Sequence, residues 1–218
     1  FRLNLFLETL GGVVFLTFII LFWRAVYAVR GGAIGGYTED EMITYLLISS
    51  VLFIFLWWTA QGDEIADEIH SGRLSYLIIR PLRIPWYYFI RDLPRKAHTF
   101  LLGIGFVGLI VVFFRSYLIV PTDPAAWFRF AIAVVIATVL HFLLFFFIAL
   151  LAFWFEEVWG FAYSFRVLIE ILGGAMIPIS FFPAIVRDVF TFLPFPYLFW
   201  VPSAMLLGKF DVDEALRV

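Results

Sequence analysis

The chain has 218 residues and a net charge of −2 at pH 7, with 64% hydrophobic and only 15% charged residues. Soluble domains have about 45–50% apolar and about 25% charged residues, so this composition excludes an ordinary water-soluble fold. The net charge gives no broad basic field, which argues against nucleic acid as a partner. The sequence contains no cysteine, which excludes disulfides, thiolate metal sites and cysteine nucleophiles. The outer surface is therefore predicted to face lipid.

Five stretches are long and apolar enough to cross a hydrocarbon core, which takes about 20 helical residues. They cover residues 10–29, 43–60, 97–120, 125–153 and 161–182. Backbone polar groups in lipid must be paired within the chain, and the sequence has no ten-residue segments of alternating polarity. The spans are therefore predicted to be α-helices, and the fold to be all-α and polytopic.

Residues 183–206 form an apolar stretch that is too interrupted to be a further span. Three prolines lie within it, at Pro194, Pro196 and Pro202, and each removes a backbone donor. A lipid-exposed helix does not tolerate three such breaks so close together. This segment is predicted to be a short re-entrant hairpin.

The distribution of basic residues predicts the orientation of the spans. Six of them lie within residues 61–96, whereas residues 30–41 hold one arginine and residues 120–123 hold none. Loops rich in Lys and Arg stay in the cytoplasm, so residues 61–96 are predicted to be cytoplasmic. Residues 154–160 then lie inside, and the hairpin lies at the outer face.

The motifs of catalysis and nucleotide binding give no support for an enzyme. Gly103, Gly105 and Gly108 spell G-x-G-x-x-G, but they lie in a lipid-length apolar stretch, where small residues serve helix packing. The sequence contains no G-x-x-x-x-G-K-[ST], so a P-loop is excluded, and no H-E-x-x-H or G-x-S-x-G. No catalytic residue, metal site or cofactor of the chain's own is predicted.

Three polar residues within the spans are candidates for a pathway. His141 lies in the fourth span, where an ionisable group is either functional or makes a hydrogen bond between helices. Arg166 and Glu170 are four residues apart in the fifth span, so they can pair and lower the cost of burial. Glu156 and Glu157 lie at the inner boundary, where their adjacency favours a structural or docking role over acid–base chemistry.

The cytoplasmic segment 61–96 carries the most informative pattern. Residues 61–71 place four acids around an apolar i, i+4 pair, which predicts a short amphipathic helix that stops at Gly72. A second piece, 73–79, ends before Pro81, and a third begins at Pro85 and lies at the interface before the third span. A linker that binds anionic headgroups explains the later arginines but not the acids. A protein partner explains the acids better.

The run from Glu68 to Leu82, EIHSGRLSYLIIRPL, resembles the signature between the second and third helices of ABC-2 class permeases of ATP-binding-cassette transporters. Further matches are Gly36-Tyr37 ahead of Glu41-Met42, residues 153–160 after the fourth span, and Leu193-Pro194-Phe195 with Val201-Pro202 in the hairpin. The resemblance extends over nearly the whole chain.

The resemblance implies a permease subunit of six helices in the inner, cytoplasmic membrane, with the sixth expected beyond Val218. It implies two permease subunits, identical or different, and two cytoplasmic ATPase subunits that hold the ATP and Mg²⁺. It also implies that residues 67–81 contain the coupling helix. The predicted coupling residues are Glu64, Asp67, Glu68, Ser71, Gly72, Arg73, Arg80 and Pro81.

These expectations combine into an ATP-driven exporter permease. Few polar side chains are available to line a hydrated path, so the predicted substrate is hydrophobic or amphiphilic. The alternative is an ATP-independent channel or a membrane-embedded enzyme that uses His141, Arg166 and Glu170.

Overall fold

The computed structural model describes residues 2–57 and 61–209, and within these ranges all the regular elements are helices. The α-helices are α1 Arg2–Arg30, α2 Glu39–Trp57, α3 Gln61–His70, α4 Leu74–Ile78, α5 Ile84–Phe114, α6 Pro124–Leu150, α7 Trp159–Leu172, α8 Ala184–Thr191 and α9 Trp200–Leu206. Short 3₁₀ turns occur at Arg115–Tyr117, Leu151–Phe153, Ile179–Phe181 and Phe195–Tyr197. The prediction of an all-α fold is confirmed.

Two helical segments of the described residues are long and apolar enough, by length and composition, to cross a membrane. They are Gly11–Arg30, with mean hydropathy 2.1, and Pro124–Phe153, with mean hydropathy 2.9. They correspond to the first and fourth predicted spans. The second predicted span, 43–60, begins within α2, and its residues 58–60 lie outside the described residues.

The third predicted span begins earlier in the structure than the sequence indicated. α5 is a continuous helix of 31 residues from Ile84, so the piece predicted to begin at Pro85 is not separate from the helix that follows it. Its position at the membrane interface stays a prediction. Pro85 lies in the first turn, where a missing N–H costs no helical hydrogen bond. One helix therefore contains residues predicted to lie in the cytoplasmic segment and residues of the third predicted span.

The fifth predicted span, 161–182, is also wrong as an uninterrupted helix. α7 has 14 residues and ends at Leu172. At a rise of about 1.5 Å per residue it is about 21 Å long, short of a hydrocarbon core of about 30 Å. Gly174, with φ +77°, adopts a left-handed conformation that favours glycine and ends the helix.

The backbone at this break is paired by neighbouring segments. The amide of Trp200 donates to the carbonyl of Gly173 at 3.0 Å, and the Tyr45 hydroxyl donates to the carbonyl of Gly174. The Ser49 hydroxyl donates to the carbonyl of Ala175 at 2.7 Å. These bonds satisfy carbonyls that a continuous helix would have paired itself, so the break lies buried inside the protein.

Gly173→Ala is expected to destabilise the fold by about 1–3 kcal/mol, the usual cost of overpacking. An added Cβ at Gly173 would lie 2.5 Å from the carbonyl oxygen of Ile169 and 2.9 Å from the Phe199 ring. Gly160→Ala is the matched control, since a Cβ there meets nothing within 4 Å. Denaturant unfolding in detergent measures both variants, and equal stability of the two would contradict this account of the break.

The helices form a bundle with two ends. Clusters at the first end surround α3, the N-terminal part of α5 and the C-terminal part of α6, and we call this the α3 end. At the other end, residues 31–38 join α1 to α2 beside the turn Arg115–Tyr117, and we call this the first-loop end. α1, α2, α5 and α6 connect the two ends.

The segment that follows α7 starts and finishes at the first-loop end. The Ser180 hydroxyl donates to the carbonyl of Gly35 at 2.9 Å. Lys209 Nζ lies 2.7 Å from the Glu41 carboxylate and 2.9 Å from the carbonyl of Gly36.

Between these two points the same segment reaches into the bundle. Phe195, Leu198 and Phe199 are buried beside Leu52 and Leu56 in the C-terminal half of α2. All residues of α9 are buried on the return. This path has the shape of the predicted hairpin 183–206, whose relation to the outer face of a membrane stays a prediction.

Candidate functional site

The first part of the predicted coupling segment is a helix fixed to the bundle. α3 begins at Gln61 and ends at His70, as its amphipathic pattern predicted. Ile65 is buried against Phe142 and Phe146 of α6, and Ala66 is buried against Ala152. α3 therefore packs across the C-terminal end of α6.

Glu68 on α3 is bound to α5. Its carboxylate accepts hydrogen bonds from the Tyr88 hydroxyl and from Arg91 Nη1, the latter at 2.8 Å. Burial alone would raise the pKa of Glu68, but these two hydrogen bonds and the charge of Arg91 outweigh it and lower the pKa below its usual value. Glu68 is therefore a charged partner of α5.

Glu64 is held in the same way, one turn earlier on α3. Its carboxylate lies 2.6 Å from Arg95 and 3.5 Å from Arg91. Glu64 and Glu68 are four residues apart, so they share one helix face, and that face turns to α5. Both acids therefore face α5 in the structure, and their role in coupling to an ATPase stays a prediction. The sequence did not show that α5 begins early enough to bring Arg91 and Arg95 alongside.

The other predicted coupling residues lie on the exposed side of this end. Asp67 points away from the α5 face and is exposed, and so are Arg73 and Arg80. The Ser71 hydroxyl donates to the carbonyl of Asp67 at 2.6 Å, and Arg73 donates to Ser71 at 2.9 Å. Gly72, with φ +72°, makes the sharp turn between α3 and α4.

We call residues 71–82 the tip. It contains α4 and ends at Pro81 and Leu82, which are exposed. Tyr76, Ile78 and Ile79 are exposed as well, so exposed apolar side chains lie close in sequence to the exposed Arg73 and Arg80. Exposed apolar side chains grouped in this way are typical of an interaction surface.

The loop after α6 is attached to the same end of the bundle. His70 Nε2 lies 3.1 Å from the carbonyl oxygen of Ala152 and 3.0 Å from that of Phe155. Carbonyl oxygens only accept, so this nitrogen carries the hydrogen. Glu156 and Glu157 follow directly and are exposed. A docking role for them stays a prediction.

A buried polar cluster lies between α5 and α6. Lys96 Nζ lies 3.2 Å from the Asp92 carboxylate and 3.4 Å from His141 Nδ1. The side chains of Lys96 and Asp92 are 1% and 3% exposed, and His141 is 3% exposed. The His141 ring also packs on Phe145, with centroids 4.7 Å apart. Two roles were considered for His141, a functional ionisable group and a hydrogen bond between helices. This geometry favours the hydrogen bond between helices.

Sequence reasoning missed Asp92 and Lys96 as members of this cluster. Both were assigned to the cytoplasmic segment, where charged residues need no special explanation. Their i, i+4 spacing ahead of a long apolar run was the available signal. This spacing predicts that the two side chains lie on one helix face. Together with the true start of α5 at Ile84, it would have predicted an ion pair within that helix.

Arg166 and Glu170 lie one turn apart on α7, and both are partly buried. Their role in a pathway stays a prediction. Among the residues that the structure describes, no three His, Asp or Glu side chains are grouped so that they could hold a metal ion.

Two apolar helices of membrane-spanning length, with an amphipathic helix and an exposed tip at one end, are compatible with a helical membrane protein. A family model described as ABC-2 family transporter protein matches residues 13–218, and the chain belongs to this family. The resemblance found in the sequence is thereby confirmed. No curated protein and no solved structure matches the chain. Family membership indicates a membrane component of an ABC transporter, which is not itself catalytic and associates with an ATPase subunit.

Proposed function

We propose that this chain is the permease subunit of an ATP-driven exporter that moves a hydrophobic or amphiphilic substrate across the cytoplasmic membrane. Two permease subunits form the pathway, and two ATPase subunits at the cytoplasmic face hold the ATP and Mg²⁺. The α3 end faces the cytoplasm, and the segment after α7 is re-entrant from the outer face.

The observation that carries this proposal is the tip and its attachment to the bundle. A permease that receives motion from a separate ATPase needs an exposed contact surface and a stiff connection to its spans. The tip supplies the first, with Tyr76, Ile79 and Arg80 exposed. The ion pairs of Glu64 and Glu68 with α5 supply the second.

Motion of the tip is passed on by two helices. α5 is continuous over 31 residues, about 46 Å at the usual rise per residue, so a displacement at its first turns reaches the opposite end of the bundle. α6 receives the same motion through Ile65 and through His70, which holds the turn after α6. Both helices move with α3 because they are packed or hydrogen bonded to it.

The substrate class follows from the character of the helix surfaces. Large apolar side chains are exposed along α1, α5 and α6, and the ionisable residues described in the bundle interior are grouped with one another. A strongly hydrated substrate would meet few hydrogen-bond partners on such surfaces. A hydrophobic or amphiphilic molecule requires none over most of its length.

The test uses Ile79→Asp in the tip, with the full chain co-expressed with a P-loop ATPase encoded beside it. Ile79 is 81% exposed, so a charge there leaves the fold intact. Loss of one buried apolar side chain from an interface costs about 1.5 kcal/mol or more, so ATPase binding is expected to weaken about tenfold. ATP-dependent transport in vesicles should fall in parallel.

Ile185→Asp is the matched control, because Ile185 is 82% exposed on α8 at the first-loop end. It should leave ATPase binding unchanged. Equal weakening by both variants would contradict the assignment of the tip. Transport or product formation by the chain alone, unchanged without nucleotide, would contradict the proposed function and favour an ATP-independent channel or a membrane-embedded enzyme.

A further inference from the structure

A shallow groove lies beside the first turns of α5, and it shares Leu82 with the tip and Arg91 with the ion pairs to α3. Its volume is about 300 Å³, and we call it the α5 groove. The residues that line it are Leu82, Arg83, Trp86, Tyr87, Ile90 and Arg91. Basic, aromatic and aliphatic side chains thus meet in one open depression.

The two arginines of the α5 groove differ in whether an acidic side chain pairs with them. Arg91 is engaged by Glu68 and Glu64, and its guanidinium lies 4.8 Å from the ring centroid of Tyr88. Arg83 is exposed, and none of the ion pairs of the described residues involves it. Arg80 is also exposed nearby in sequence. The rim of the groove therefore carries positive charge that the acids of α3 do not neutralise.

The apolar side of the groove is formed by exposed side chains on one face of α5. Trp86 is 61% exposed and stacks on Phe89 with ring centroids 5.4 Å apart. Ile90 follows one turn further along the helix and is exposed. Trp and Tyr favour the level of the lipid headgroups, and apolar residues beyond them favour the acyl region.

We propose that the α5 groove binds one anionic phospholipid of the bilayer in which the chain is embedded. The lipid phosphate meets the guanidinium of Arg83 at the rim, and the first part of an acyl chain lies along Trp86 and Ile90. Along the groove Arg83 is followed by Trp86, Tyr87 and Ile90, which matches the order of phosphate, glycerol and acyl chain in the lipid. Arg91 lies beyond them and is already paired with the acids of α3.

Charge complementarity favours this occupant over an apolar protein surface. An apolar protein surface would leave the Arg83 charge unused, whereas an anionic lipid satisfies the charge and the apolar side together. The bound lipid would hold the N-terminal turns of α5 at the membrane surface beside the ion pairs with α3. This site requires only that the chain lies in a membrane, so it stands or falls independently of ATP-driven export.

The test measures quenching of Trp86 by brominated lipid in the purified full chain, reconstituted in vesicles. Trp86→Phe isolates the signal, because the emission of the parent minus that of this variant belongs to Trp86. Brominated phosphatidylglycerol is compared with brominated phosphatidylcholine at increasing mole fraction in unbrominated phosphatidylcholine. We expect half-maximal quenching at a clearly lower mole fraction of the anionic lipid.

In the Arg83→Gln variant, the Trp86 emission is obtained by subtracting the emission of the Arg83→Gln, Trp86→Phe double variant. Arg83→Gln should raise the mole fraction of phosphatidylglycerol that gives half-maximal quenching about fivefold. That factor corresponds to about 1 kcal/mol for one basic residue at an anionic surface. Arg187→Gln is the control, because Arg187 is an exposed arginine on α8 at the opposite end. It should leave the midpoint unchanged.

Three results would overturn the proposal. The first is equal quenching of Trp86 by the two brominated lipids, which would make the groove a general lipid contact. The second is an anionic preference that survives Arg83→Gln, which would place the recognised charge elsewhere. The third is an anionic preference that disappears when the ATPase is bound, which would show that a protein covers the groove.

Discussion

Lys96→Met is expected to destabilise the protein by about 3–5 kcal/mol, the cost of removing one partner from a buried ion pair. The Lys96 ammonium lies 3.2 Å from Asp92 and 3.4 Å from His141. Removing it leaves a nearly fully buried carboxylate without its lysine and removes a polar contact between α5 and α6. Denaturant unfolding of the purified chain in detergent measures the change.

The double variant Asp92→Leu, Lys96→Met supplies the control. Replacing a buried ion pair with apolar residues of similar volume is often neutral, so the double variant is expected to be more stable than Lys96→Met alone. Phe142→Leu, in the same part of α6, reports the ordinary cost of a changed core side chain. If Lys96→Met were no worse than the double variant, the burial of this pair would be contradicted.

The largest effect on activity is expected from breaking the ion pair between Glu68 and Arg91. Glu68→Gln removes the charge that Arg91 and Tyr88 contact. A hydrogen bond to a charged group contributes about 1.5–3 kcal/mol, so α3 should loosen from α5. The ATPase should still bind the tip, but transport per ATP hydrolysed should fall severely because the stiff connection is lost.

A double-mutant cycle of Glu68→Gln and Arg91→Gln separates this pair from general damage. Residues in direct contact show coupling free energies of about 0.5–3 kcal/mol, and a value above about 1 kcal/mol is expected. Asp67→Asn combined with Arg91→Gln is the matched cycle, since Asp67 is the neighbouring acid on α3 and is exposed. Its coupling should be near zero.

The contribution of Glu68 to the free energy of unfolding should depend on pH in a defined direction. The pKa of Glu68 is lower in the folded chain than its usual value of 4.5, so its contribution to stability is fully present above that value. It is lost as the pH falls through the lower, folded pKa. The unfolding free energies of parent and Glu68→Gln should converge only below the usual value. Convergence near neutral pH would contradict the pairing.

Local patterns in the sequence predicted the elements whose signals are local. The apolar length of residues 10–29 and 125–153 identified α1 and α6, and the i, i+4 pair Ile65 and Ile69 with Gly72 identified α3. Gly72 adopts the left-handed conformation that its position as a helix stop requires. These features depend on neighbours within one or two turns, so the order of residues determines them.

The two wrong boundaries arose where distant contacts decide the structure. Pro85 signalled a separate piece, but a proline in a first turn is also compatible with the start of a long helix. The end of α7 lies within an apolar run, and its position depends on Phe199, Tyr45 and Trp200 packing around the glycines. The partners of Glu64 and Glu68 could not be predicted because they lie on another helix.

The break after α7 has a consequence for how the protein is made. Tyr45 and Ser49 are synthesised with α2, but the carbonyls that they bond, at Gly174 and Ala175, lie 129 and 126 residues further along the chain. Until the ribosome has delivered that segment, the hydroxyls of Tyr45 and Ser49 have no carbonyl at the break to bond. α2 is therefore incompletely packed until those later residues have been synthesised. Chains terminated before residue 174 should be recognised and degraded as unfinished, even though their apolar helices are already inserted.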